Sequence, residues 1–399
     1  MTCLSGQAWL TDGATVAVLD ALEAAGGPDC VRFVGGCVRN ALRGQPVDDI
    51  DLSTTLAPEA VVAALKAAGL KSVPTGLAHG TVTAISRRQP FEITTLRRDV
   101  ATDGRNATVA FTDDWDQDAA RRDFRLNALY ADRTGRIFDP TGQGQADAAA
   151  GRIVFVGDPS TRIQEDYLRI LRFFRFHAWY GQGEPDAEGL AACAALHDGM
   201  ARLSAERVSK ELLKLLAARD PRNAVRAMSD SRVLGQIMPV PVSLARFEAM
   251  VTISGDVALR LSALLPDATE AVMKAAVALR LSNALRNRLI DAVSGRVAVT
   301  ANGADIRAML YRDGRQAVCD RLARTVADHP DVDMSALTAV ARDWPIPRLP
   351  VGGREVARAG VAPGPDTGRI LKAYEDRWIA DDFPTDDPDA RLKALLAAD

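Results

Sequence analysis

Val31-Arg32-Phe33-Val34-Gly35-Gly36-Cys37-Val38-Arg39-Asn40, with Asp49-Ile50-Asp51-Leu52 close behind, is the stretch whose reading decides the fold. A β-branched run reaches two glycines, and helical spacing begins near Cys37, so a strand turns tightly into a helix. Glycines there let the backbone approach a ligand closely, and a helix N-terminus offers free N–H groups to an anion. Arg39 stands on the first turn of that helix, within reach of the same anion. Taken alone, the glycine pair fits an ordinary strand-to-helix turn equally well. It is neither the dinucleotide fingerprint nor a P-loop, because G-x-G-x-x-G and a Lys-Ser/Thr ending are both missing. Asp49 and Asp51 sharpen the reading. At i and i+2 on an extended segment their carboxylates point to one face, where they repel unless a cation lies between them. Oxygen ligands so placed suit Mg²⁺, which binds through one or two carboxylates plus substrate phosphates. The alternative is a strand end with solvated aspartates.

Outward from this stretch, short apolar runs (Val31 to Val34, Gly80 to Ile85, Phe91 to Leu96, Ile153 to Val156) alternate with helical stretches. From Ser160 onward the apolar spacing is helical almost throughout, broken at Gly181–Pro185, Asp220–Pro221, Pro239–Pro241, His329–Pro330 and Pro345–Pro350. The expected class is α+β: a mixed-sheet N-terminal domain over residues 1–156, then helical segments over 157–220, 221–345 and 346–399. No period of 20–50 residues recurs, so a regular solenoid is not supported. With 399 residues, 47% apolar and 25% charged, disordered, collagenous and small disulfide-built chains are excluded. The longest charge-free run, Ser72 to Ser86, contains Pro, Gly and Thr and is too short to span a membrane. The N-terminus lacks the features of a secretory signal, and five dispersed cysteines form no C-x-x-C pair, so a reducing cytoplasm is expected. A formal net charge of −3 denies the whole chain a general attraction to nucleic acid, but not local patches. Between Arg202 and Arg226 seven basic residues face three acidic ones, which suits RNA-backbone contact or a solvated helix face.

Thr161 to Tyr180 is read as one helix. Asp166, Arg169, Arg172 and Arg175 recur every three residues on one side of it, and Leu168, Leu171 and Phe174 hold the other. Ion pairs on an amphipathic helix would give the same pattern. The chemical reading is a ruler for a base. Cytosine and adenine share an exocyclic amine beside a ring-nitrogen acceptor, whereas guanine and uracil carry N–H at the ring position. A carboxylate accepting from the amine and a guanidinium donating to the ring nitrogen accept C and A and reject G and U. Asp166 and Arg169 supply those two groups. Simpler readings are preferred elsewhere. His197-Asp198 is a helix end; Asp113, Asp114, Asp116 and Asp118 are placed at a helix N-terminus; Trp179–Tyr180 is core rather than a base-stacking platform. Glu92 is read as a solvated or ion-paired strand residue, with a third metal-site carboxylate as the alternative.

Gly35-Gly36-x-Val38-Arg39 with Asp49-x-Asp51 resembles the class II nucleotidyltransferases, the family of tRNA CCA-adding enzymes and bacterial poly(A) polymerases. Further motifs follow in that family's order. They are His79-Gly80-Thr81-Val82 with Phe91-Glu92-Ile93-Thr94-Thr95-Leu96, the loop motif Asp103-Gly104-Arg105, Arg121-Arg122-Asp123-Phe124 with Asn127-Ala128, and Glu165-Asp166-x-x-Arg169-x-x-Arg172-x-x-Arg175-Phe176. Ser204-x-Glu206-Arg207-Val208-x-Lys210-Glu211-Leu212 is similar to the family's neck motif. Two positions depart from the pattern: Asn40 stands where the family usually has Asp, and Arg125 where it usually has Thr.

The resemblance implies a polymerase-beta-like nucleotidyltransferase head followed by an all-α neck, body and tail. It implies template-independent addition of CMP and AMP, from CTP and ATP, to the 3′ end of tRNA, with release of pyrophosphate. Asp49 and Asp51 would be catalytic and would hold Mg²⁺, one ion lowering the pKa of the RNA 3′-hydroxyl and another steadying the pyrophosphate. Gly36, Arg39 and Arg122 would bind the triphosphate, Arg172 and Arg175 would add positive charge, and Asp166 with Arg169 would replace a nucleic-acid template. A poly(A) polymerase shares these motifs, and a partial enzyme adding only A or only C is a further alternative, the Asp103-Gly104-Arg105 loop arguing against the C-only type; a catalytically silent RNA-binding protein is the reading from another class. The expected partners are tRNA, ATP and CTP, with no membrane and no protein partner implied.

Overall fold

The computed structural model describes residues 3–103 and 106–398. Two compact units divide the chain: Met1–Pro239 with Ala278–Arg280, and Val240–Val277 with Leu281–Asp399. After a short helix, Ala8–Thr11, the first runs through α1 (Gly13–Gly26), β1 (Val31–Val34), α2 (Gly36–Leu42), β2 (Asp51–Thr54), α3 (Pro58–Ala67), β3 (Lys71–Gly76), β4 (Thr81–Ser86) and β5 (Gln89–Thr95). Next come β6 (Arg97–Asp103), β7 (Asn106–Phe111), α4 (Trp115–Ala120), β8 (Tyr130–Ala131) and β9 (Ile137–Phe138). Seven strands form one mixed sheet in the order β3-β4-β5-β2-β1-β8-β9, while β6 and β7 make a separate two-stranded ribbon. Gly104 and Arg105 of the expected loop motif lie outside the described residues.

Strand register gives the sheet two unlike faces. Phe33 pairs with Leu52, Leu52 with Ile93, and Ile93 with Val82, so these four side chains share one face, and all are buried. Val18, Leu19 and Leu22 of α1 and Val61 and Leu65 of α3 are buried with them, each such side chain contributing about 1.5–3 kcal/mol. The opposite face is polar. Asp51 pairs with Glu92, Ser53 with Thr94, and Glu92 with Thr83. Because β2 and β5 run parallel, Asp51 and Glu92 are direct neighbours on that face.

The expected strand at Ile153 to Val156 is reduced to a single bridge between Phe155 and Phe124. Its backbone does pair, Arg125 N–H donating to Val154 and Val156 N–H to Asp123. Gly157, at φ 74°, then turns the chain away. The expected helix from Thr161 to Tyr180 is also corrected. It is two helices, α5 (Pro159–Glu165) and α6 (Leu168–Tyr180), with Asp166 extended between them at φ −153° and ψ 106°. The Asp166 carboxylate accepts the Leu168 N–H at 3.1 Å, the local competition by which Asp displaces helix geometry. Phe124, Phe155, Phe173 and Phe176 interlock, with ring centroids 5.0–6.4 Å apart, and bind α6 to the sheet region. Helix α7 (Ala205–Leu216) packs along α6.

The second unit is helical in all its described secondary structure. One core gathers Val297, Ile306, Leu310, Val318 and Leu322; another gathers Val356, Ile370, Tyr374, Trp378 and Phe383. The expected breaks all fall between helices, because Pro and Gly end them. No helix among the described residues is long and apolar enough to cross a membrane.

Candidate active site

Gly35 takes φ 67° and ψ −116°, a conformation that L side chains rarely adopt, and this lets β1 turn straight into α2. A Cβ on Gly36 would meet only the Arg39 Nη2, at 3.8 Å, so this glycine leaves its space to whatever enters the turn. The turn forms one wall of a cavity of about 430 Å³. Gly35, Gly36, Arg39, Asp51, Arg121, Arg122, Asp123, Asn127, Asp166, Leu168, Arg169, Arg172, Phe176 and Arg207 line it. Six arginines against three aspartates make the walls attractive to an anion.

The arginines are held in different ways. Arg39 is 6% exposed, yet among the described residues its guanidinium meets only neutral acceptors: Asn127 Oδ1 at 2.6 Å, Asn40 Oδ1 at 2.9 Å and the Tyr180 hydroxyl at 2.8 Å. Its positive charge is therefore left for a ligand. Arg122 donates to Asp118 at 2.8 Å, to Ser53 Oγ at 3.2 Å and to the Tyr130 hydroxyl at 3.1 Å. Burial alone would raise Asp118, but Arg122, Arg121 and the Tyr130 hydroxyl outweigh it and hold the carboxyl at about 2. Asp123 behaves alike: burial is overcome by Arg172, the Asn127 amide and the Phe124 N–H, and it too sits at about 2. A continuous hydrogen-bonded chain thus runs from Arg172 through Asp123, Asn127 and Arg39 to Tyr180.

Asp51 has the opposite environment. Burial raises it first, the charges of Glu92 and Asp49 add to the effect, and Arg122 only partly offsets them, leaving it at about 6. Asp49 is exposed on the approach to β2 and is not among the cavity-lining residues. Glu92, exposed beside Asp51, forms no ion pair among the described residues. No three His, Cys, Asp or Glu side chains form a complete metal cage among the described residues. What the chain offers instead is hard oxygen donors whose negative charge Arg122 only partly compensates, beside a basic cavity.

Asp166 and Arg169, the pair expected to read a base, both line the cavity but already have partners. Asp166 Oδ2 accepts from Arg207 at 2.7 Å, and Arg169 pairs with Glu165 and donates to the Arg162 carbonyl at 2.8 Å. Arg175 is not among the lining residues; it turns to Glu211 and stacks 4.4 Å from the Phe176 ring centre.

Residues 31–154 match the family described as "Poly A polymerase head domain", and residues 184–243 match "Probable RNA and SrmB- binding site of polymerase A". The CCA tRNA nucleotidyltransferase 1, mitochondrial, of Homo sapiens is 33% identical over 87% of this chain and 82% of its own length. The chain belongs to the CCA tRNA nucleotidyltransferase and poly(A) polymerase family. The CCA-adding enzyme of Limosilactobacillus fermentum is 32% identical over 88% of this chain and 90% of its own. The crystal structure of the Bacillus stearothermophilus CCA-adding enzyme in complex with CTP superposes with a TM-score of 0.75 at 22% identity, covering 96% of this chain and 97% of that one. The head-and-helices fold is thus the family's.

Within this nucleotidyltransferase, the two departures from the family pattern have separate consequences. Asn40 still receives Arg39, but as a neutral amide, so Arg39 loses a counter-charge that Asp would supply. Arg125 does not line the cavity; its nearest carboxylate is Asp147 at 3.8 Å. Asp118, Asn127, Tyr180, Glu165 and Arg207 join the site without a local signal that assigns them a role. Asn127, Glu165 and Arg207 stand inside family-like motifs, but only the fold reveals whom they meet. Asp114 caps α4, and Asp116 and Asp118 stand in its first turn, as expected; Asp118 is in addition buried in ion pairs with Arg121 and Arg122. Trp179 corrects another expectation: it is exposed rather than core.

Proposed function

We propose that this chain rebuilds the 3′-CCA end of tRNA, adding CMP and AMP from CTP and ATP without a nucleic-acid template and releasing pyrophosphate. One observation carries the reading: Asp51 of the Asp49/Asp51 pair, Arg39 with no charged partner among the described residues, and Asp166 with Arg169 are all at a single cavity. In this reading Arg39 and Arg122, with the Gly35-Gly36 turn, hold the triphosphate, and Arg172 adds positive charge across the cavity. Arg175, committed to Glu211, contributes to the field only at a distance. Asp166 uses two of its roughly four acceptor sites on Leu168 and Arg207, leaving capacity for an exocyclic amine. Arg169 similarly keeps N–H groups for a ring nitrogen.

The RNA 3′-oxygen forms a bond to the α-phosphorus as the bond to pyrophosphate breaks. Asp49 and Asp51 would hold Mg²⁺; the raised Asp51 and its neighbour Glu92 show an acidic spot that a cation would neutralise. The ion, when bound, acidifies the attacking hydroxyl and stabilises charge on the leaving group. Residues 1–156 serve as catalytic head, 157–220 as neck, 221–345 as body and 346–399 as tail, the helical segments gripping the tRNA by shape and phosphates. The working compartment is the cytoplasm. Asp49→Ala or Asp51→Ala abolishes incorporation of both nucleotides while tRNA binding persists. Labelled CMP incorporation at near the parent rate by either variant, with Mg²⁺ present, would refute the assignment.

A further inference from the structure

The end of α6 carries an aromatic side chain that neither the core nor the nucleotide cavity uses. Trp179 is 45% exposed, and its indole N–H donates to the Lys214 carbonyl, 2.7 Å away in the last turn of α7. With its one donor committed, the indole is held in place and has only its π surface to offer. A single exposed apolar side chain needs no explanation by itself. Here the surroundings specify a partner. The Tyr180 ring lies 6.5 Å from that of Trp179, and Arg39, which lines the cavity, stacks 3.9 Å from the Tyr180 ring centre. Phe176, one turn earlier on α6, lines the same cavity, so Trp179 stands about 5 Å further along the helix axis. Lys210 and Lys214 are exposed one turn apart on α7, and neither is ion-paired among the described residues.

We infer that Trp179 is a stacking platform for an unpaired nucleobase close to the RNA 3′ end, with Lys210 and Lys214 receiving the adjoining phosphates. The inference rests on RNA being the substrate. Bases inside an A-form helix are closed to such a ring, so the base it takes must be unpaired. Stacking of this kind needs no particular base, which suits an enzyme that meets many tRNA sequences.

Two RNAs test it: a tRNA ending just before its CCA, and a blunt hairpin with the same acceptor stem and no unpaired 3′ nucleotide. Each is titrated at several salt concentrations onto the parent, Trp179→Ala and Trp179→Phe, and thermal melts are run on all three. Trp179→Ala weakens binding of the tRNA about 5- to 150-fold, the roughly 1–3 kcal/mol of one stacked base. Trp179→Phe restores most of that loss, and the hairpin affinity is unchanged. The salt slope is also unchanged, since a stacked ring releases no counterions, whereas Lys210→Ala with Lys214→Ala makes it shallower by about two units. Unchanged tRNA affinity in Trp179→Ala, or an equal loss on the blunt hairpin, overturns the platform. A parent that neither binds tRNA nor adds nucleotides removes the functional reading itself, and the platform with it.

Discussion

Asp166 meets the cavity with Arg207 already on its carboxylate, and Arg169 meets it with Glu165 on its guanidinium. The two ion pairs hold both side chains in place, so under the proposed function a base would be read by groups that need little reorganisation. A wrong base leaves buried donors or acceptors unpaired at about 1–3 kcal/mol each. Asp166→Ala or Arg169→Ala should accordingly raise UMP and GMP incorporation relative to CMP and AMP by about 5- to 150-fold. Comparison of kcat/KM for the four nucleotides checks this, and an equal slowing of all four would mean that the pair is structural. Arg207→Ala should mimic part of the Asp166→Ala effect, and the double variant should lose little more than Asp166→Ala alone, as expected for residues acting through one contact. Additive losses would place Arg207 elsewhere in the mechanism.

The strand-turn-helix element makes a prediction that separates its two glycines. Gly35 sits at a positive φ, so Gly35→Ala introduces backbone strain of about 1–3 kcal/mol and lowers the melting temperature. Gly36 opens α2 with ordinary space around it, so Gly36→Ala leaves stability near the parent's. It should instead raise KM for CTP and ATP about tenfold, roughly 1.4 kcal/mol, by placing a methyl where the nucleotide approaches. An unchanged KM would mean that no ligand comes close to this turn. The element was legible in the sequence because its signals are local: a β-branched run, two glycines and helical spacing in succession. The helix break at Asp166 was not. Helical periodicity runs through it and masks the local bond from Leu168 N–H to the Asp166 carboxylate, and the second partner of that carboxylate, Arg207, lies 41 residues away. Asn127 and Tyr180 escaped for the same reason, since each earns its place through Arg39, which is distant in sequence. Trp179 is expected in the core, but its position at the last turn of α6 leaves it exposed.

Across the whole molecule, the head supplies a sheet whose polar face carries Asp51 and Glu92, and Asp166, with Arg169 of α6 and Arg207 of α7, lines the same cavity as Asp51. Under the proposed function, chemistry and choice of nucleotide would be separable on one scaffold, and a template unnecessary if the protein itself presents the complementary edge. The most direct measurement is to incubate the enzyme with Mg²⁺, all four nucleoside triphosphates and a tRNA lacking its CCA end, and to sequence the 3′ products. The account predicts that the products end in cytidine, cytidine, adenosine and that addition stops there. A run of adenosines, addition of only one kind of nucleotide, or an unextended tRNA would contradict it.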